Sequence, residues 1–136
     1  MRRRAFVQVN RVMNAVVRRL GLRRFRGADL LMLTTTGRRS GQQRTTPVLY
    51  LAEPDRWLVV ASNGGADWEP GWWLNLQAGS PAKIEVDGRT IAVRGAEITG
   101  EERERLWPML CERVFDYNAY QAKVSRQIAV VALTPA

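Results

Sequence analysis

No histidine occurs anywhere in the 136 residues, and Cys111 is the single cysteine. Ser-His-Asp catalysis, structural zinc sites and disulfide frameworks therefore lack the residues they need, and no metal site is expected. Cys111 has no His or Lys beside it in sequence to favour a thiolate, so it reads as a buried filler. Long apolar runs are missing as well. Residues 48–52 and 57–61 fall far short of the roughly 20 that cross a bilayer as a helix. The first residues lack a signal peptide's uninterrupted apolar stretch, because Arg11, Arg18 and Arg19 interrupt it, and a cytoplasmic location is expected. The length fits one domain of ordinary size and leaves no room for a second.

Acidic residues are missing where basic ones are most crowded. Residues 1–26 hold nine of the 21 basic side chains and no Asp or Glu, which leaves 12 basic against 13 acidic in the remainder. The net charge of +8 thus belongs to an N-terminal arm, and the body is close to neutral. Within the arm Phe6, Val9, Met13, Val16 and Leu20 recur at helical spacing, and Gly21 and Gly27 are natural ends. This predicts a basic amphipathic helix in a segment covering residues 1–27, followed by a domain over 28–136. Such a helix suits an anionic membrane surface, and it equally suits docking its stripe on the domain. Nucleic acid is disfavoured as a partner, since only Phe6 and Phe25 could stack on bases.

Beyond the arm, β-rich stretches dominate. Residues 30–36 and 45–52 read as a hairpin around the loop 37–44, and residues 56–62 form a third strand after the turn 53–55. Pro70 is placed to start a short helix through Trp72 and Leu76, closed by residues 79–81. Residues 82–86 and 90–93 flank Asp87-Gly88 as a second hairpin. Thr99 and Glu102 have capping-box spacing before a helix through Leu106, Leu110 and Val114, with Pro108 as a possible break. A short helix carries Tyr117 and Tyr120, and residues 127–133 return as the last strand. Hairpins outnumber crossovers, so an α+β fold built on a small antiparallel barrel with peripheral helices is predicted.

Chemistry concentrates in three places. The loop 37–44 sets Arg38, Arg39 and Arg44 among glycines and the Ser40 hydroxyl, a composition that can hold phosphate or carboxylate oxygens, although a solvated hairpin loop would look the same. Residues 62–65 (Ser-Asn-Gly-Gly) precede Trp72-Trp73 and Asn75, so a ring system could lie between glycine backbone and indole. Of the five tryptophans, Trp57 and Trp107 are expected in the core. Tyr117 and Tyr120 share a helix face and could present two phenols, or serve as core.

Taken together, residues 33–47, residues 62–65, residues 70–76, Trp107-Pro108 and the Tyr117/Tyr120 pair resemble the deazaflavin-dependent nitroreductase family. The resemblance implies a split β-barrel of the flavin-reductase kind that binds coenzyme F-420, in preference to FMN, and reduces a quinone or nitroaromatic acceptor by hydride transfer. It implies that Arg38, Arg39, Ser40, Gly41, Gln42 and Arg44 hold the coenzyme's phosphate and acidic tail. Thr46, Pro47, Val48 and Leu49, then Val60, Ala61, Ser62, Asn63 and Gly64, and Gly71, Trp72 and Asn75 would line the ring pocket. Ser62, Tyr117 and Tyr120 would face the acceptor. The basic arm resembles a segment by which relatives associate with the inner face of the membrane. Trp73, Asn63 and Val114 depart from the family's commoner residues, which bears on acceptor choice. A carrier of the same fold that holds coenzyme or lipid without turnover is the alternative.

Overall fold

The computed structural model describes residues 24–25 and 28–136, so the expected amphipathic helix lies outside the described residues. Arg24–Phe25 form a two-residue strand, β1, against Ala28–Thr36, β2. Gln43–Leu49 (β3), Leu51–Glu53 (β4), Arg56–Val60 (β5), Ala82–Val86 (β6), Arg89–Ile98 (β7) and Val130–Pro135 (β8) complete the strands. The helices are α1 (Gly71–Gln77), α2 (Gly100–Arg113) and α3 (Asn118–Lys123), with one 3-10 turn at Asn63–Gly65.

Every pairing is antiparallel, in the order β2-β6-β7-β8-β5-β4, and β3 takes the other edge of β2. Only Tyr50 separates β3 from β4. The chain therefore leaves the β2 edge and joins β5 almost without a break, which closes the sheet into a barrel with β3 as the split edge. Pro47 sits on β3 opposite Met32, at home on an edge because it has no N–H to donate outward.

Alternation along β5 and β8 sorts side chains into two cores. Val59, Val131 and Leu133 point inward with Leu31, Leu33, Ile84 and the α1 residues Trp72, Trp73 and Leu76. Leu58, Val60, Val130 and Ala132 point outward under Leu106 and Leu110 of α2, with Ile128 and Tyr117. Both faces of these strands are covered, which is why their sequences run apolar instead of alternating. Full burial of a leucine such as Leu58 or Leu106 contributes about 2 kcal/mol. Gly95 lets α1 close on β7, since a Cβ there would stand 2.8 Å from Leu76 Cδ1.

Several local expectations change. The capping box does not form: Thr99 caps without a side-chain bond, and Glu102 instead accepts from Arg56 at 3.1 Å. Pro108 does not break α2, because it lies on the exposed face, where water can take the carbonyl its ring leaves unbonded. The last strand begins at Val130. Ile128 has its N–H taken by Gln121 Oε1 and its carbonyl by Arg103, so it leaves the ladder. Trp72 and Trp73 are the fully buried tryptophans, whereas Trp57 and Trp107 are half-buried at the rims of the two cores. The Asp87-Gly88 turn has positive φ at both residues, as a two-residue hairpin of this twist requires.

Candidate active site

The loop between β2 and β3 is exposed and closed on itself. Gly37 N–H donates to Gln42 O at 2.8 Å, Gly41 N–H to Gly37 O at 2.9 Å, and Gln42 N–H to Ser40 Oγ at 3.1 Å. Asn75 of α1 fixes its first arginine. Its Oδ1 accepts from both the backbone N–H and Nη1 of Arg38 at 3.1 Å, while its Nδ2 donates to Thr35 Oγ1 at 3.0 Å. The buried amide thus joins strand, loop and helix. Arg39 and Arg44 pair with no carboxylate among the described residues and stand in solvent. A Cβ added at Gly41 or Gly71 would meet nothing within 4 Å, so the surface is open there.

The second element is the turn after β5. Asn63, Gly64 and Gly65 have φ of 52, 64 and 85°, three consecutive left-handed residues. Gly65 N–H donates to Ser62 O and Ala66 N–H to Asn63 O, and Asn63 Nδ2 donates to Trp68 O. The ring of Tyr120 of α3 packs against Gly65: a Cβ at that position would be 2.8 Å from its Cδ1, so only glycine admits the ring. The hydroxyls of Ser62 and Tyr120 have no hydrogen-bond partner among the described residues.

The structure brings together Arg38 with Asn75, and Tyr120 with the Ser62–Gly65 turn. It does not present Tyr117 in the same way. That phenol is buried between Trp107 and Phe115, with centroids at 6.2 and 5.5 Å, and burial pushes its pKa well above the ordinary value. Val60, Ala61 and Trp72 are core side chains, which leaves chiefly their backbone to meet a ligand. Thr46 through Leu49 are half-buried on the split edge, and Val48 packs on the barrel core. Cys111 is half-buried, and burial raises its thiol pKa.

Arg126 was invisible to sequence reasoning. Its guanidinium donates to Ala61 O (3.1 Å), Ser62 O (3.1 Å) and Ala66 O (3.0 Å), and the acceptors lie 60 to 65 positions away, so no local pattern marks it. The strand β5 ends at Val60 instead of Ser62, and Arg126 binds the Ala61 and Ser62 carbonyls just past that end.

A split antiparallel barrel with an exposed arginine loop and a glycine turn beneath a free phenol defines a cofactor-binding protein of the flavin-reductase architecture. The crystal structure of the haem storage protein HutZ of Vibrio cholerae shares this fold, with a TM-score of 0.58 at 13% identity over 79% of this chain and 81% of that one. The family is more specific. The model of F420H(2)-dependent quinone reductases matches residues 3–135. An F420H(2)-dependent quinone reductase of Mycobacterium tuberculosis is 35% identical over 141 residues, covering 98% of this chain and 95% of the relative. The solved F420-H2 dependent reductase FDR-A is 31% identical, with a TM-score of 0.67 over 76% of this chain and 92% of that chain. The chain belongs to the F420H(2)-dependent quinone reductase family, and is an oxidoreductase whose coenzyme is F-420. The residues present suit that coenzyme: the Arg39 and Arg44 guanidiniums, paired with no carboxylate among the described residues, complement phosphate and carboxylates, and the open surface at Gly41 and Gly71 leaves room for a ligand.

Proposed function

We propose that the protein transfers a hydride from reduced coenzyme F-420 to a quinone or nitroaromatic acceptor at an anionic membrane surface. The observation that carries the proposal is the pair Arg39 and Arg44, exposed and paired with no carboxylate among the described residues, beside a loop that Asn75 holds in shape. The coenzyme, when bound, supplies the hydride. Arg38, Arg39, Ser40, Gly41, Gln42 and Arg44 bind its phosphate and acidic tail. The Ser62–Gly64 backbone, with Thr46–Leu49 and α1, orients its ring. Ser62 and Tyr120 hydrogen-bond the acceptor oxygen, and Tyr120 delivers the proton that, with the hydride, completes a hydroquinone. Tyr117 supports Tyr120 through Phe115, which touches both rings (5.5 and 5.2 Å).

Reduced coenzyme F-420 mixed with menadione tests the reaction: the expected result is stoichiometric oxidation of the coenzyme with saturation in quinone. Absence of turnover in a protein that binds the coenzyme would leave a carrier instead. The membrane part rests on residues 1–26. No helix among the described residues is long and apolar enough to cross a membrane. Removing residues 1–23 deletes seven of the nine arginines and spares β1. The truncated protein is expected to stay in solution with anionic vesicles that sediment the full chain at low salt, and to keep coenzyme affinity. A full-length chain that ignores such vesicles at low salt would assign the arm to the fold or to another partner.

A further inference from the structure

We infer that Arg126 is a positioning residue for the reaction: it holds the Ser62–Gly65 turn in the shape that the coenzyme and acceptor meet. The inference rests on the functional reading above and concerns a residue far from the arginine loop. Three features carry it. First, the turn needs an external brace. Three left-handed residues in a row, one of them Asn63, are costly for an isolated chain, and two glycines give it the largest backbone entropy to lose. Second, Arg126 bridges both ends of that turn, donating to Ala61 O and Ser62 O before it and to Ala66 O after it. A planar fork fixes those carbonyls relative to one another, which a single ammonium cannot do. Third, the segment that aims Arg126 is itself bolted down. Gln121 donates to Arg126 O at 2.7 Å and accepts from Ile128 N–H at 2.8 Å, and the neighbouring Ser125 donates through N and Oγ to Asp67 Oδ1.

The turn is thus held both by Tyr120 against Gly65 and by the guanidinium. Arg126 is partly buried, its Nε has no partner, and burial lowers its pKa, so the cation is held there at a cost in solvation. An apolar side chain at this position would leave the Ala61, Ser62 and Ala66 carbonyls without that donor. A residue that fixes three carbonyls has reason to be charged and forked.

Arg126→Lys and Arg126→Gln test the proposal, with Ile84→Val as a core variant of reduced stability remote from the turn. Amide exchange in the coenzyme-free protein is the first readout. Both Arg126 variants are expected to raise exchange at Gly65 and Ala66 at least tenfold, while amides within β5 stay protected. The second is a titration with oxidised coenzyme F-420 and steady-state turnover of menadione. Arg126→Lys is expected to lower kcat/KM about tenfold or more without being rescued by its retained charge, and Ile84→Val to leave both constants alone. Arg126→Lys with parental exchange at the turn and parental constants would overturn the inference, as would losses matched by Ile84→Val at equal melting temperature. If Arg126→Gln does not fold, Arg126→Lys decides alone. A parental protein that fails to bind coenzyme F-420 would instead overturn the functional reading, and the exchange measurement would still report on the brace.

Discussion

Replacing Arg39 and Arg44 together by alanine is expected to raise the dissociation constant for coenzyme F-420 about a hundredfold, with little change in the melting temperature of the ligand-free protein. Charge-assisted hydrogen bonds contribute roughly 1.5–3 kcal/mol each, and the lower end applies to groups this exposed. At about 1.4 kcal/mol per tenfold, two such contacts account for the hundredfold. Stability is spared because neither guanidinium is bound to a protein acid among the described residues, and exposed substitutions of this kind lie within about 0.5 kcal/mol of neutral. Arg38→Ala is different. It removes a proposed coenzyme contact and also the Nη1 bond to Asn75, so it should weaken binding and loosen the loop together. Raising the salt concentration should weaken the parental protein far more than the double variant, since only the former has the charge to screen. An unchanged constant in the double variant would take the coenzyme's acidic groups away from this loop.

Tyr120→Phe is expected to lower kcat with a quinone acceptor about a hundredfold if proton transfer belongs to the rate-limiting step, while coenzyme affinity stays near parental. Its ring would still cover Gly65, so the turn should keep its shape and the loss would fall on the hydroxyl alone. Tyr117→Phe serves as the contrast. That phenol is 4% exposed among aromatic rings, so removing its hydroxyl should cost turnover much less. Stopped-flow oxidation of the reduced coenzyme by menadione separates the two variants. Equal rates for Tyr120→Phe and the parent would remove Tyr120 as proton donor and leave Ser62 or water in its place.

The barrel was legible because its signals are local. Alternation in residues 82–86, the Asp87-Gly88 turn and the break at residues 53–55 each fix a hairpin without help from distant residues. The arginine loop stood out for a similar reason, as three arginines and two glycines within the eight residues 37–44 are visible in the letters alone. What escaped notice depends on partners far along the chain. Glu102 has the spacing of a helix cap, but Arg56, 46 positions earlier, claims its carboxylate. Residues 127–129 look like strand, yet Gln121 and Arg103 occupy the backbone groups of Ile128. Tyr117 and Tyr120 are equivalent by spacing, and only packing separates a buried ring from one laid over a glycine. Asn75 was legible through the family resemblance, whereas its bond to Arg38 across 37 positions was not.

Titration of the full-length protein with oxidised coenzyme F-420 and, separately, with FMN tests the coenzyme assignment and the arginine loop together. The expected result is saturable binding of the deazaflavin that weakens with salt and is lost in the Arg39→Ala/Arg44→Ala variant, with FMN binding far more weakly. Tight FMN binding alongside no response to coenzyme F-420 would contradict it.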